Sequence, residues 1–250
     1  MPCLEIFPDP DTLIQAAADE VLRLGTEAIE ENGIFTVALS GGSTPRPLYA
    51  LLATRKWVKS IDWSRVHLFW GDERCVPPDD PRSNYRMVRE SLLDGISIPP
   101  ENVHRIHGEE DPEAAAARYE EELRAFFGST GVDGPPRPGL DLVLLGMGRD
   151  GHTASLFPGM PAVTGQASWV TAKFVEVVSM WRITLTPAAI NAAKEVIFLV
   201  SGAEKAERLH DVLEGPIQPQ VLPAQMIKPV DGRLVWLVDG AAARFLKGGG

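Results

Sequence analysis

The apolar run Leu140-Asp141-Leu142-Val143-Leu144-Leu145 passes straight into Gly146-Met147-Gly148-Arg149-Asp150-Gly151-His152, and this junction limits the folds open to the chain more than any other stretch. A run this short and apolar, bounded by turn residues, reads as a buried strand. The three glycines that follow allow a sharp turn or a close approach of backbone to a ligand, because glycine takes φ > 0 without penalty. The same pattern recurs. Phe35–Leu39 leads into Ser40-Gly41-Gly42-Ser43-Thr44-Pro45, Val66–Trp70 into Gly71-Asp72-Glu73-Arg74, and Val196-Ile197-Phe198-Leu199-Val200 into Ser201-Gly202-Ala203-Glu204-Lys205.

Helical segments separate these strands. Leu13, Ala17, Val21, Leu24 and Ile29 recur at helical spacing and stop at Asn32-Gly33. Thr44 is placed to be an N-cap with Pro45 as the first helical residue, and Thr186-Pro187 repeats that signal. A helix is expected over 84–93, a short strand over 103–106, and a helix capped by Asp111 that runs to Phe127. Short strands at 4–7 and 234–238 complete the pattern. Strand–helix alternation predicts an α/β fold: a doubly wound, mostly parallel sheet with helices on both faces and right-handed crossovers. A single domain over 1–247 is expected, with a disordered tail at 248–250 and a mobile, Gly/Pro-rich surface loop at 128–138.

Acidic residues outnumber basic ones 34 to 24, a formal charge of -10, which argues against nucleic acid and anionic membranes as partners. An anionic substrate therefore needs a local basic pocket. Only Cys3 and Cys75 are present, neither near metal-ligand spacing, so no disulfide framework and no structural zinc site are expected. The N-terminus lacks the basic flank and long apolar core of a signal peptide. A cytoplasmic protein is expected, a monomer or weak homo-oligomer acting on a small molecule.

Chemistry concentrates at the glycine turns. His152 carries the side chain best suited to proton transfer near neutrality, two residues from the Asp150 carboxylate, at the carboxyl end of a strand where open α/β sheets bind ligands. Gly41, Gly42, Ser43 and Thr44, at a helix start, present N–H groups, hydroxyls and a positive dipole end suited to an anion. Neither a Walker loop nor a dinucleotide fingerprint is present. Asp72 and Arg74 follow a strand at the same sheet edge. His67, His104, His107 and His210 carry only core or surface readings. Ser155 lacks the Gly-x-Ser-x-Gly surroundings of an activated nucleophile.

Together these blocks resemble the 6-phosphogluconolactonases. The resemblance rests on Leu39-Ser40-Gly41-Gly42-Ser43-Thr44-Pro45, on Trp70-Gly71-Asp72-Glu73-Arg74 with Val76-Pro77 and Ser83-Asn84, and on Gly146-x-Gly148-x-Asp150-Gly151-His152-Thr153-Ala154-Ser155-Leu156-Phe157-Pro158. Arg182-Ile183-Thr184-Leu185-Thr186 and Ser201-Gly202-x-x-Lys205 follow in the family's order. It implies the fold of the related glucosamine-6-phosphate deaminases/isomerases, 6-phospho-D-glucono-1,5-lactone as substrate, and neither metal nor organic cofactor. It further implies that Arg182 and Lys205 join the 41–44 turn in holding the phosphate, with Asp72 and Arg74 nearer the sugar or carbonyl.

Two rivals remain. A deaminase or isomerase would use the same cradle with Asp72 as base, but the deaminases have an acidic residue where this chain has Phe157. A non-enzymatic sugar-phosphate sensor would bring a DNA-binding segment, and no basic helix-turn-helix pattern is visible.

Overall fold

The computed structural model describes residues 2–128, 139–159 and 168–247. The loop expected at 128–138, apart from Gly128, and the tail at 248–250 lie outside them. Seven strands form one parallel sheet: β1 (Cys3–Phe7), β2 (Phe35–Leu39), β3 (Val66–Trp70), β5 (Val103–His104), β6 (Leu142–Gly146), β9 (Glu195–Val200) and β10 (Arg233–Asp239), in the order β1-β10-β9-β6-β2-β3-β5. A second, antiparallel sheet, not expected from the sequence, holds β4 (Asp72–Arg74), β8 (Met180–Leu185) and β7 (Val170–Val175), in that order. The helices are α1 (Pro10–Asn32), α2 (Pro45–Leu52), α3 (Arg55–Val58), α4 (Asn84–Ser91), α5 (Pro112–Gly128), α6 (Pro187–Ile190), α7 (Ala206–Glu214) and α8 (Gly240–Ala243). No helix among the described residues is long and apolar enough to cross a membrane.

Strand β2 to β3 to β5 steps toward one edge, whereas β6 to β9 to β10 steps toward the other. With right-handed crossovers, this reversal places the connecting helices on opposite faces. Helix α2 accordingly packs against both α1 and α4, and α7 packs against α8. The sheet is doubly wound, as the strand–helix alternation predicted. Its switch point falls between β2 and β6.

That pair is joined over a short length. Parallel register links only Val37 with Leu142 and Ala38 with Val143, while β6 pairs with β9 over five residues. At the amino ends, the buried Asp141 carboxylate accepts from the Thr36 N–H (2.9 Å) and hydroxyl (2.8 Å), and Asp141 N–H donates back to Thr36 Oγ1 at 3.0 Å. Both strands are buried throughout except at Gly146, as their continuous apolar runs require. They are clamped at one end and part at the other.

Two sequence signals differ from the structure. Thr44 makes no side-chain cap to α2 and its own backbone is helical, so the cap reading there is corrected. Thr186, by contrast, accepts from Ala189 N–H at 3.3 Å as expected. The segment 84–93 is helical only to Ser91, and the strand at 103–106 ends at His104.

The clamp gives a stability prediction. Asp141→Ala leaves the buried Thr36 N–H without its acceptor and should lower the unfolding free energy by about 1–3 kcal/mol. The half-exposed Lys194 partner of Asp141 adds little to that figure. Urea unfolding checks it, and a change below about 0.5 kcal/mol would show that β2 and β6 are held by other means.

Candidate active site

The carboxyl ends of β9, β6, β2 and β3 are neighbours in the sheet, and a cleft of about 270 Å3 opens beside them. Strand ends that stop pairing leave backbone groups to satisfy. Here side chains take over. Beyond β2, the Tyr49 hydroxyl of α2 accepts from Ser40 N–H (3.1 Å) and donates to Ser40 C=O (2.9 Å). At the end of β3, the Tyr119 hydroxyl of α5 does the same for Trp70, at 2.9 and 3.1 Å. Thr153 Oγ1 donates to Gly146 C=O at 2.8 Å. The buried Asp239 carboxylate takes Ser201 Oγ (2.6 Å) and Gly202 N–H, and caps α8 through Ala242 N–H. Each turn entering the cleft is thereby tied to the scaffold.

In the turn after β6, Gly151 has φ +84 and Ala154, unusually for a side-chain-bearing residue, φ +47. Gly148 N–H donates to His152 C=O at 2.8 Å, folding the turn back so that His152 faces the cleft. His152 Nδ1 lies 2.5 Å from Asp150 Oδ1, and the same oxygen accepts from His152 N–H at 3.1 Å. Nε2 is left without a partner among the described residues. Burial works to raise the Asp150 carboxyl, but the hydrogen bonds and charge of His152 outweigh it and hold Asp150 below its ordinary value. The imidazole also lies against the Phe157 ring, centroids 4.2 Å apart and planes at 22°. A Cβ on Gly148 would stand 2.1 Å from Nδ1, so only glycine fits there.

The short β4 strand brings Asp72, Glu73 and Arg74 to the opposite wall. Asp72 accepts from Ser155 Oγ at 2.6 Å and from Asn84 Nδ2 at 3.2 Å. Burial pushes the Glu73 carboxyl up, although N–H groups of Asn84, Tyr85 and Arg74 and the Ser83 hydroxyl surround it. Glu73 thus fastens the start of α4 to β4 and supports Asn84, which lines the cleft. A Cβ on Gly41 would lie 1.8 Å from Asn84 Oδ1, which explains that glycine.

Arg74 and Arg182 are directly opposite each other in the antiparallel sheet. Burial, and then the charge of Arg74, push Arg182 below the ordinary arginine value. The Nε atoms of both are buried without a hydrogen-bond partner. Lys205 also lines the cleft and is lowered by burial, with Arg149 adding to the effect. Two adjacent guanidiniums and a half-buried ammonium crowd one space, an arrangement that an anion relieves.

The structure brings together all the residues expected at the site. Gly41, Gly42, Ser43, Thr44, Asp72, Arg74, His152, Arg182 and Lys205 line the cleft, and Asp150 touches His152 from outside its wall. Sequence reasoning gave no role to Asn84, Ser155, Tyr49, Tyr119 or Asp239. Ser83-Asn84 and Ser155 stood within recognisable blocks, but the tyrosines and Asp239 act from distant elements and left no local signal.

The lowered Lys205 gives a pH prediction. Burial favours its neutral form, whereas a bound anion favours the charged form, so anion binding takes up a proton as pH passes above the lowered free-state value. Affinity for inorganic phosphate, titrated on the alkaline side where phosphate's own charge is constant, should fall as pH rises. In Lys205→Arg, whose side chain keeps its proton, that fall should vanish; an unchanged slope would remove Lys205 from the anion site.

The sequence model of the family described as glucosamine-6-phosphate isomerases/6-phosphogluconolactonase matches residues 8–236. A 6-phosphogluconolactonase of Nostoc sp. is 43% identical over 97% of this chain and 98% of its own length. Its counterpart from Haemophilus influenzae is 40% identical over 93% and 96%. Among solved structures, 6-phosphogluconolactonase from Trypanosoma cruzi superimposes with a TM-score of 0.86 at 30% identity, covering 99% of this chain and 97% of that one. A monomeric glucosamine-6-phosphate deaminase, 23% identical with a TM-score of 0.80 over 97% of this chain and 99% of its own, shares the fold. On a match that takes in every turn around the cleft, the chain belongs to the glucosamine-6-phosphate isomerase/6-phosphogluconolactonase family.

Proposed function

We propose that this protein hydrolyses 6-phospho-D-glucono-1,5-lactone to 6-phospho-D-gluconate, the lactonase step of the oxidative pentose phosphate pathway, with His152 as general base. The observation that carries the mechanism is the His152–Asp150 pair. With Nδ1 committed to Asp150, Nε2 is the nitrogen that faces the cleft with a lone pair to use. The relatives' names supply the reaction.

In the first step His152 Nε2 takes a proton from water as the water oxygen bonds to the lactone carbonyl carbon, whose oxygen becomes the oxyanion. Asp150 stabilises the imidazolium and keeps its orientation. In the second, the oxyanion re-forms the carbonyl, the bond from that carbon to the ring oxygen breaks, and His152 returns the proton to the ring oxygen. The product acid then ionises in water. No metal or organic cofactor enters this scheme. Gly41, Gly42, Ser43 and Thr44, with Arg182 and Lys205, hold the phosphate; Arg74 and Asp72 serve the carbonyl and sugar hydroxyls. Support for these roles comes from the cations gathered at the cleft of an otherwise acidic molecule, with the buried Nε atoms of Arg74 and Arg182 lacking a hydrogen-bond partner.

Ser155 does not suit a nucleophile, since its hydroxyl is buried and donates to Asp72. We further infer a cytoplasmic setting, supported by the free thiols of Cys3 and Cys75.

The lactone hydrolyses spontaneously, so the assay generates it in place from glucose 6-phosphate and compares its decay with and without protein. Accelerated decay is expected, with no ammonia released from glucosamine 6-phosphate. His152→Gln should lower kcat by about 10²–10⁴ with little change in 6-phosphogluconate affinity. Ammonia release with lactone decay at background would reverse the assignment, and a His152→Gln enzyme of near-normal kcat would exclude the general-base role.

A further inference from the structure

The turn that carries His152 leaves one large side chain unexplained by the reaction scheme. Phe157 has no group able to move a proton, yet its ring is buried, lines the cleft and lies nearly parallel to the imidazole, centroids 4.2 Å apart and planes at 22°. The imidazole is bounded on three sides: the Asp150 carboxylate at Nδ1, the Gly148 backbone, which leaves no room for a Cβ, and the Phe157 ring. The Asp150 bond holds one edge of a ring tethered at Cγ, and because the torsion about Cβ–Cγ is broad, the tilt that remains is limited by what packs against the ring face. His152 is also about a third exposed, so solvent does not immobilise it either.

We infer that Phe157 is a positioning residue for His152, acting through the face of its ring to fix the imidazole plane so that Nε2 points at the attacking water. This inference rests on the general-base reading above. The stack has a second consequence. When His152 takes up the proton from water, the resulting imidazolium lies against a π face, which attracts a cation more than it attracts the neutral ring. The contact is therefore stronger after proton transfer than before it, and an interaction of that kind raises kcat without tightening substrate binding. Leucine in place of the ring keeps apolar volume but offers neither a flat face nor a quadrupole. Misplacement of a catalytic group by about 1 Å is enough to cost on the order of 100-fold.

The experiment compares Phe157→Leu, Phe157→Tyr and His152→Gln with the wild type, each checked by thermal melt. Phe157→Leu should lower kcat by about 10–100-fold while KM for the lactone and affinity for 6-phosphogluconate stay within about twofold. Phe157→Tyr, which restores the flat ring, should recover most of that loss. If His152→Gln collapses but Phe157→Leu keeps its kcat within about twofold, or if Phe157→Leu and Phe157→Tyr lose equally, the positioning role is wrong and the general-base reading stands. If Phe157→Leu loses affinity in proportion to kcat, the ring serves binding and the inference also fails. A His152→Gln enzyme with normal kcat overturns the reading on which both rest.

Discussion

Strands β2 and β6 are clamped at their amino ends by the Thr36–Asp141 hydrogen bonds and pair over only two residues before they separate. The remaining architecture follows from that separation. The chain winds outward in opposite directions from these two strands, so the helices that follow them lie on opposite faces and cannot fill the gap between their carboxyl ends. What fills it is turn: Ser40 to Thr44 from one side and Met147 to Phe157 from the other. A cleft at that point is a consequence of topology before it is a property of any side chain.

The second constraint is charge. A molecule of formal charge -10 repels anions at long range, and screening confines that repulsion to about 10 Å in ordinary buffers. Inside the cleft, the local arrangement decides. Arg74 and Arg182 face each other across an antiparallel pair, an arrangement that costs energy in an empty site and is lowered by an anion placed between them. The same burial that lowers Lys205 would strengthen its attraction for an anion placed in the cleft, because fewer waters compete.

Much of this was legible in sequence because the features are local. A strand running into a Gly-rich turn announces both the fold class and the position of the cleft, and the spacing of His152 and Asp150 announces the pair that meets at its wall. The small antiparallel sheet was not legible: β4 is three residues long and pairs with β8 more than a hundred positions away, and Arg182-Ile183-Thr184-Leu185 alternates too briefly to declare its partner. The cap expected from Thr44 failed for a backbone reason: Thr44 is already helical at φ -72 and ψ -46, whereas a cap needs non-helical backbone to turn its hydroxyl onto the first helix N–H groups. Hydroxyl groups that close strand ends from neighbouring helices carry no motif, since any tyrosine at the right height serves.

Hydrogen-bond accounting also narrows which group in the cleft can accept a proton. Asp72 is a carboxylate in a suitable place, and a base at that position is what an isomerase or deaminase reading requires. Each of its oxygens already accepts a bond, Oδ2 from Ser155 and Oδ1 from Asn84, and Asn84 is itself held in place by Glu73 through its backbone N–H. Protonating Asp72 would weaken the bond from the buried Ser155 hydroxyl, at a cost of about 1–3 kcal/mol if that bond is lost, while the Asn84 amide keeps its bond to Asp72 C=O at 2.9 Å. His152 bears no such obligation at Nε2. Its other nitrogen is committed, its ring is held against Phe157, and proton transfer at Nε2 breaks no bond within the protein. The same network that removes Ser155 as a nucleophile therefore supports the proposal in which Asp72 holds the substrate and His152 moves the proton.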